Sequence, residues 1–170
     1  MSNIHKMIKL NDGIYSVRGT WMRNISLFPT RSFILKNEDK PGILVIDTCG
    51  YGSGKIIFDG IKSQGLNPED ITGIAITHWH GDHTGGLAEL VSHVAEAGGG
   101  PVKVFIHEAE AKRFMSQRGE FIKIHPLIKF PVFHKPGKTP AADEFELVRL
   151  SDAMENNPLD YWGVDFIHTP

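Results

Sequence analysis

Apolar residues along the chain fall into short runs separated by turn-forming residues, a pattern typical of alternating strands and helices. Runs at residues 14–18, 32–36 and 43–48 predict strands, with turn residues between them. The run at 43–48 stays apolar until Asp47, as expected of a strand that is buried on both faces. The first part of the chain therefore predicts the strands of a sheet.

Helical spacing of apolar residues alternates with further strand-like runs in the middle of the chain. Helices are predicted over 53–64, about 84–97 and 108–117, and strands over 73–77 and 102–106. The second of these helices carries apolar residues at positions i, i+3, i+4 and i+7, which form one stripe along its surface. Strand and helix alternate repeatedly, so the predicted fold class is α/β, with helices packed on a sheet.

The last part of the chain has a weaker pattern after Gly119, because prolines at positions 126, 131, 136 and 140 interrupt it. Short strands are predicted near 132–134 and over 145–150. Residues 164–167 look like the start of another buried strand, and the sequence ends three residues later. Because a strand needs a neighbour, we expect the sequence to be truncated at its C-terminus.

Length and composition indicate one globular domain over residues 1–170, with 41% hydrophobic residues. The 18 Lys and Arg against 20 Asp and Glu leave a net charge of −2, which argues against a nucleic-acid partner. The apolar runs are too short to span a membrane, and no signal peptide is visible, so a cytoplasmic location is expected. Since Cys49 is the single cysteine, an intrachain disulfide and a cysteine zinc site are excluded.

A histidine-rich segment joins the predicted strand at 73–77 to the helix that follows. Residues 77–86 read Thr-His-Trp-His-Gly-Asp-His-Thr-Gly-Gly, so three histidines and an aspartate lie close together. In an extended segment alternate side chains share a face, so His78, His80 and Asp82 are expected to point the same way. His83, at the turn into the helix, can reach the same volume.

Neutral imidazoles together with a carboxylate suit Zn²⁺ best, with iron or manganese as alternatives. The spacing differs from the helical His-Glu-x-x-His pattern of metalloproteases. A histidine-rich surface loop without a metal is the competing interpretation, but such a match at fixed positions arises by chance in roughly one chain in a thousand of this length. The segment therefore predicts a metal site.

The segment 77–86 resembles the T-H-x-H-x-D-H-x-G-G signature of the metallo-β-lactamase superfamily. The final residues, His168, Thr169 and Pro170, resemble the opening of that family's second signature, H-T-P-G-H-T, in which the first histidine binds no metal. The resemblance covers essentially the whole chain. It implies an α/β fold of the metallo-β-lactamase type, an αββα sandwich of which this chain is the N-terminal part.

The resemblance also implies roles for individual residues. His78 and His80 match ligands of a first metal ion, and Asp82 and His83 match ligands of a second. Two Zn²⁺ ions are implied in the complete site, whose remaining ligands lie beyond this sequence. Asp47 is implied as a residue that supports the histidine loop (residues 77–86) without binding metal itself.

A metal-dependent hydrolase acting on a small-molecule substrate is the function that the resemblance implies. A metal-bound hydroxide would attack an ester-, thioester-, lactone- or lactam-like bond, with Asp82 as the catalytic residue that orients it. Two alternatives remain open, namely an iron-dependent redox enzyme of the same fold and a catalytically inactive fragment. Because half of the implied site is missing, we expect either that the protein is longer than this sequence or that the 170 residues alone have little activity. The family's second sheet would come mostly from later residues, so the 170-residue chain is also expected to expose a large apolar patch and to aggregate or form homo-oligomers.

Overall fold

A computed structural model describes residues 6–20, 30–117, 120–125, 128–134 and 137–167. The segment His168–Pro170, which resembles the second signature, lies outside these residues. Across the described ranges the strands are β1 (Ile8–Asn11), β2 (Ile14–Arg18), β3 (Arg31–Lys36), β4 (Ile43–Ile46), β5 (Ile71–Ile76), β6 (Val102–His107), β7 (Glu120–His125), β8 (Ile128–His134) and β9 (Phe145–Leu150). The α-helices are α1 (Ser53–Ser63), α2 (Gly81–Thr84), α3 (Leu87–Glu96) and α4 (Glu108–Ser116), and short 3-10 helices cover Pro68–Asp70 and Pro158–Trp162.

Seven of the strands form one sheet in the order β1-β2-β3-β4-β5-β6-β9. The strands from β1 to β4 pair antiparallel, whereas β4, β5, β6 and β9 pair parallel. Strands β7 and β8 form a separate antiparallel hairpin. Helices α1 and α3 each connect two neighbouring parallel strands, as parallel pairing requires. The α/β class predicted from the sequence is confirmed.

Two apolar clusters cover the two faces of the sheet. The larger cluster joins the sheet to α1, α3 and α4, whose buried apolar side chains, such as Ile61, Leu90 and Phe114, belong to it. The smaller cluster lies on the opposite face, where Leu159 of the last 3-10 helix packs with strand residues such as Leu44. The inner strands are therefore nearly all apolar because both of their faces are covered. Among the described helices none has the length and apolar character needed to cross a membrane.

The face opposite the helices is less covered toward the edge strand β1. Ile8 and Phe33 both lie opposite Ser16 in the strand register and therefore share a face of the sheet. They are 43% and 39% exposed, and Ile14 and Leu10 are exposed nearby. Apolar residues are thus partly exposed at this end of the sheet, while the large apolar patch and the formation of oligomers stay predictions.

The predicted strand at 164–167 is wrong. The structure assigns no strand to these residues, and Ile167 is 81% exposed. The physical reason is that Val164 and Phe166 pack against the smaller apolar cluster on the face of the sheet, so the segment joins none of the described strand pairings. The sequence analysis also did not predict β1, whose four residues are all exposed, or β7.

The helix predicted at about 84–97 corresponds to α3, which begins at Leu87, and Gly85 and Gly86 separate it from the short helix α2 that precedes it. Both glycines pack directly against the backbone of the loop that follows β4. A Cβ atom on Gly85 would lie 2.5 Å from the Tyr51 amide nitrogen, and one on Gly86 would collide with the Thr48 carbonyl oxygen. The end of the histidine loop therefore packs directly against the loop after β4.

Gly54 marks the contact between α1 and α3 and offers a test of this packing. A Cβ atom there would lie 2.5 Å from the Leu90 amide nitrogen and 2.7 Å from the Gly86 carbonyl oxygen. We expect Gly54→Ala to lower the free energy of unfolding by about 1–3 kcal/mol, although alanine favours helices, because two backbones must separate. Urea unfolding measures this, with Gly100→Ala as the control, since Gly100 has open space around it. A Gly54→Ala variant as stable as the wild type would contradict the close packing of the two helices.

Candidate metal centre

The candidate centre lies where the loops after β4 and β5 meet, at the carboxyl edge of the parallel strands. Val45 and Ile46 of β4 pair with Ile74 and Ala75 of β5. The Asp47 amide donates a hydrogen bond to the Ala75 carbonyl oxygen at 2.8 Å, which carries the pairing one residue beyond β4. Parallel α/β sheets place their ligand sites at this edge, because the loops there leave the strands side by side.

The Asp47 carboxylate connects the two loops. It accepts hydrogen bonds from the Thr77 amide at 2.8 Å and from the Thr77 hydroxyl at 2.8 Å. Its Oδ2 atom lies 2.7 Å from Nδ1 of His83. Asp47 is only 6% exposed, so these donors replace the water that a carboxylate would otherwise require.

Backbone contacts bind the same two loops together. The amide and the hydroxyl of Thr48 both donate to the His83 carbonyl oxygen, at 2.7 and 2.9 Å. Asp47 and Cys49 adopt the left-handed conformation, with φ of 56° and 57°, which costs free energy in residues other than glycine. The strained backbone at these two residues therefore places the Asp47 side chain and the Thr48 donors next to the histidine loop.

Three side chains of the histidine loop converge on one point. His78, Asp82 and His83 each offer a ligand atom, and these atoms lie within 4.8 Å of one another. The rings of His78 and His83 are 4.0 Å apart between centroids, and His83 Nε2 lies 3.6 Å from Asp82 Oδ2. His80 is outside this group, although its ring centroid is 4.6 Å from that of His78. The roles of these four residues as ligands, and of Asp47 as their support, stay predictions.

The geometry that gathers these side chains differs from the alternation expected of an extended segment. Strand β5 ends at Ile76, the chain bends over 77–79, and α2 begins at Gly81. Asp82 and His83 therefore project from a short helix, while His78 projects from the bend before it. The chain bends because its backbone is tied to Asp47 and Thr48, a constraint that residue spacing does not reveal.

The hydrogen-bond network indicates which ring nitrogens are available to a metal. The Thr77 hydroxyl has one proton, which it donates to Asp47, so it accepts from Nδ1 of His78 at 3.1 Å. His83 likewise directs Nδ1 to Asp47. Both rings then carry their proton on Nδ1, and Nε2 is left with the lone pair that binds a cation. Histidine ligands in metal sites are oriented in this way by a carboxylate or hydroxyl partner, so these residues fit a metal ion.

The two histidines of the cluster differ in their affinity for protons. Burial lowers the pKa of His78, and the neighbouring His83 lowers it further. Burial also acts to lower the pKa of His83, but the hydrogen bond and charge of Asp47, with the charge of Asp82, outweigh it and raise that pKa. A neutral His78 suits metal binding, and His83 becomes a ligand by exchanging its proton for the cation.

Two further features lie close to the cluster. Cys49 is buried, and burial raises the pKa of its thiol to about 11, which keeps it protonated and unsuited to nucleophilic attack. A cavity of about 510 Å³ opens beside His78 on the side of β5 and β6. Apolar residues such as Phe105 and Leu150 form much of its lining, with His107 and Glu110 among its polar residues. The cavity provides space for a small molecule next to the cluster.

Comparison with known proteins identifies the family of the chain. The profile of the metallo-beta-lactamase superfamily matches residues 26–169. Since this match spans most of the sequence, the chain belongs to the metallo-β-lactamase superfamily, whose fold implies bound metal ions. The resemblance found in the histidine segment is confirmed.

Relatives with assigned activities match shorter parts of the chain. A hydroxyacylglutathione hydrolase of Shewanella sp. (strain ANA-3) is 32% identical over 78 residues, which are 46% of this chain and 27% of that protein. An atrochrysone carboxyl ACP thioesterase of Passalora fulva is 44% identical over 50 residues, 28% of this chain and 14% of that protein. The matches thus span about a quarter or less of the length of these two relatives.

Solved structures show the same fold over most of the chain. The metallo-beta-lactamase GOB-18 from Elizabethkingia meningoseptica superposes with a TM-score of 0.60 at 17% identity, covering 92% of this chain and 50% of that one. MEM-A1, a subclass B3 metallo-beta-lactamase from a soil metagenome library, gives 0.57 at 21% identity, covering 90% and 49%. At these identities the likeness establishes the fold, and the chain spans about half of each structure.

The contact between Asp47 and His83 predicts a pH-dependent stability in chelator-treated protein. Because the pKa of His83 is raised above its ordinary value of 6.5, its protonation stabilises the folded state below that pH, and this contribution is lost as pH rises through the raised value. We expect Asp47→Asn to lower the pKa of His83, followed by proton NMR of its imidazole. The loss of unfolding free energy relative to wild type should be larger at about pH 5 than at about pH 9.

The control for this prediction is Asp39→Asn, which removes the same charge from an exposed position. We expect it to leave both the pKa of His83 and the pH dependence of stability unchanged. An Asp47→Asn variant whose loss of stability is equal at both pH values would contradict the coupling between Asp47 and His83.

Proposed function

We propose that the protein is a metal-dependent hydrolase. The observation that carries this proposal is the convergence of His78, Asp82 and His83 within 4.8 Å, with Nδ1 of His83 fixed by Asp47. Two imidazoles and a carboxylate, held by a buried carboxylate behind them, form a donor set suited to Zn²⁺. The hydrolase names of the relatives support the same class of reaction.

Zinc is the metal we propose, with two ions in the complete site and iron or manganese as alternatives. His78, Asp82 and His83 would hold metal directly, and His80 would join them after a small rearrangement of its ring. When bound, such ions lower the pKa of water and polarise the oxygen of the bond to be cleaved. The polar network behind the ligands keeps Nε2 of His78 and His83 available for this purpose.

Asp82 is the residue we assign to proton movement. Its side chain is 27% exposed, so its carboxylate is accessible to a water molecule at the cluster. We infer that an oxygen of this carboxylate orients the attacking water and takes its proton while the new carbon–oxygen bond forms. The proton then passes to the departing sulfur, oxygen or nitrogen atom as the original bond breaks, so that hydrolysis is balanced.

The proposed substrate is a small molecule with an ester-, thioester-, lactone- or lactam-like bond. Thioesters are the first class to test, because one relative is named an ACP thioesterase and another a hydroxyacylglutathione hydrolase. The mainly apolar cavity beside His78 can accept the acyl part of such a molecule. We retain the predictions that the protein is cytoplasmic and that neither nucleic acid nor a membrane is its partner.

Variants of the cluster test the metal centre and the activity together. We expect His78→Ala and Asp82→Asn to reduce bound zinc, measured by elemental analysis of the purified complete protein, because each removes a ligand atom. Thioester hydrolysis should fall by about 100-fold or more in kcat/KM. His93→Ala is the matched control, since His93 lies on α3 and pairs with Glu96 away from the cluster.

The same measurements separate the alternatives. Chelation should abolish hydrolysis and added zinc should restore it in the wild type and in His93→Ala. Protein that purifies with iron and shows redox activity without hydrolysis would favour the redox alternative. Wild-type protein that contains and binds no metal would contradict the proposal altogether.

A further inference from the structure

Trp79 lies between two of the predicted ligands, His78 and His80, and is itself buried in the larger apolar cluster. Its side chain is 2% exposed, and its ring lies 4.7 Å from the His80 ring between centroids. The position of the Trp79 backbone therefore sets the points at which the side chains of His78 and His80 leave the main chain. This residue has no role in the proposed chemistry, so its contacts require a separate explanation.

Helix α4 holds the Trp79 backbone from one side. Glu110 lies in the first turn of α4 and is half-buried, and its Oε2 atom accepts a hydrogen bond from the Trp79 amide at 3.0 Å. Arg113, one turn further along α4, has its guanidinium carbon 5.9 Å from the centre of the Trp79 ring. Because α4 follows β6 directly and β6 pairs with β5, the first turn of α4, which carries Glu110, lies beside the histidine loop.

Thr84 holds the same backbone from the other side. Its hydroxyl oxygen lies 3.2 Å from the Trp79 carbonyl oxygen and 3.0 Å from the His80 carbonyl oxygen, so its proton is shared between these acceptors. That hydroxyl in turn accepts the Gly137 amide at 2.7 Å. Thr84 is fully buried, which protects these bonds from competition by water.

We propose that Glu110 is a positioning residue of the metal centre, which fixes the Trp79 amide and thereby the backbone that presents His78 and His80. This inference rests on the proposed metal centre. The Trp79 amide is one donor between two ligands, so losing its acceptor allows the backbone at 78–80 to rotate. Partners that orient ligands from outside the metal's own contacts typically change metal affinity by about 10- to 100-fold.

The zinc dissociation constant, measured by competition with a chromogenic chelator on the complete protein, tests the inference. We expect Glu110→Ala to weaken zinc binding by about 10-fold or more, because it removes the acceptor of the Trp79 amide. Glu110→Gln keeps an acceptor oxygen at that position and should retain most of the affinity. Glu108→Ala is the matched control, because it removes an exposed carboxylate from the same first turn of α4.

A spectroscopic measurement separates positioning from general support of the fold. In cobalt-substituted protein, Glu110→Ala should change the visible absorption bands, which report ligand geometry, whereas Glu108→Ala should leave them unchanged. Thermal unfolding of the metal-free variants shows whether both are folded. If Glu110→Ala does not fold, zinc binding is compared between Glu110→Gln and Glu110→Asp instead. The shorter aspartate side chain cannot reach the Trp79 amide, so Glu110→Asp should weaken zinc binding more than Glu110→Gln.

Each outcome distinguishes this inference from the proposed function. Wild-type protein that binds no zinc would overturn both. Zinc affinity and cobalt spectrum that are the same in the wild type and in the Ala and Asp variants would overturn the role of Glu110 and leave the metal centre standing. A raised KM with unchanged metal affinity would also overturn it, because Glu110 lines the cavity and would then act on the substrate.

Discussion

The buried carboxylate of Asp47 is the group on which the rest of the site depends. A carboxylate that is 6% exposed is stable only if donors surround it, and the chain supplies the amide and hydroxyl of Thr77 and the ring of His83. All of these donors come from the loop after the neighbouring strand. Satisfying Asp47 therefore requires that loop to leave β5 with a bend, and the bend brings His78 toward His83.

The order of the strands explains why such an arrangement is possible. Parallel pairing of β4, β5 and β6 releases three consecutive loops at one edge, so the middle loop has a neighbour on each side. The loop after β4 approaches closely enough that only glycine fits at Gly85 and Gly86, and it adopts left-handed backbone at Asp47 and Cys49. Backbone strain of this kind persists only where surrounding contacts enforce it, and here it accompanies the candidate centre.

Sequence reasoning could predict what is encoded in local pattern. The apolar run of β4, the helical stripe of α3 and the histidine-rich loop are all properties of adjacent residues, and the first two correspond closely to the structure. The strand expected at 164–167 fails because strand formation needs a partner, which a local run cannot specify. The roles of Glu110 and Thr84 leave no local signal, since an acid in a helix's first turn and a threonine beside glycines are common in any chain.

Of the two carboxylates that flank the histidine loop, Asp47 contacts the ring of a predicted ligand and Glu110 contacts the backbone between two predicted ligands. Asp47 contacts an imidazole, so it controls proton affinity and ring orientation through a charge-assisted bond. Glu110 accepts a hydrogen bond from a backbone amide and so controls the path of the chain, while its charge also acts to raise the pKa of His78. A metal site depends on both, because correctly oriented rings on a misplaced backbone do not converge, and a correct backbone with misoriented rings presents no lone pair to the cation. The loop after β5 lies between the loops after β4 and β6, so it is contacted both by Asp47, which follows β4, and by Glu110, which follows β6.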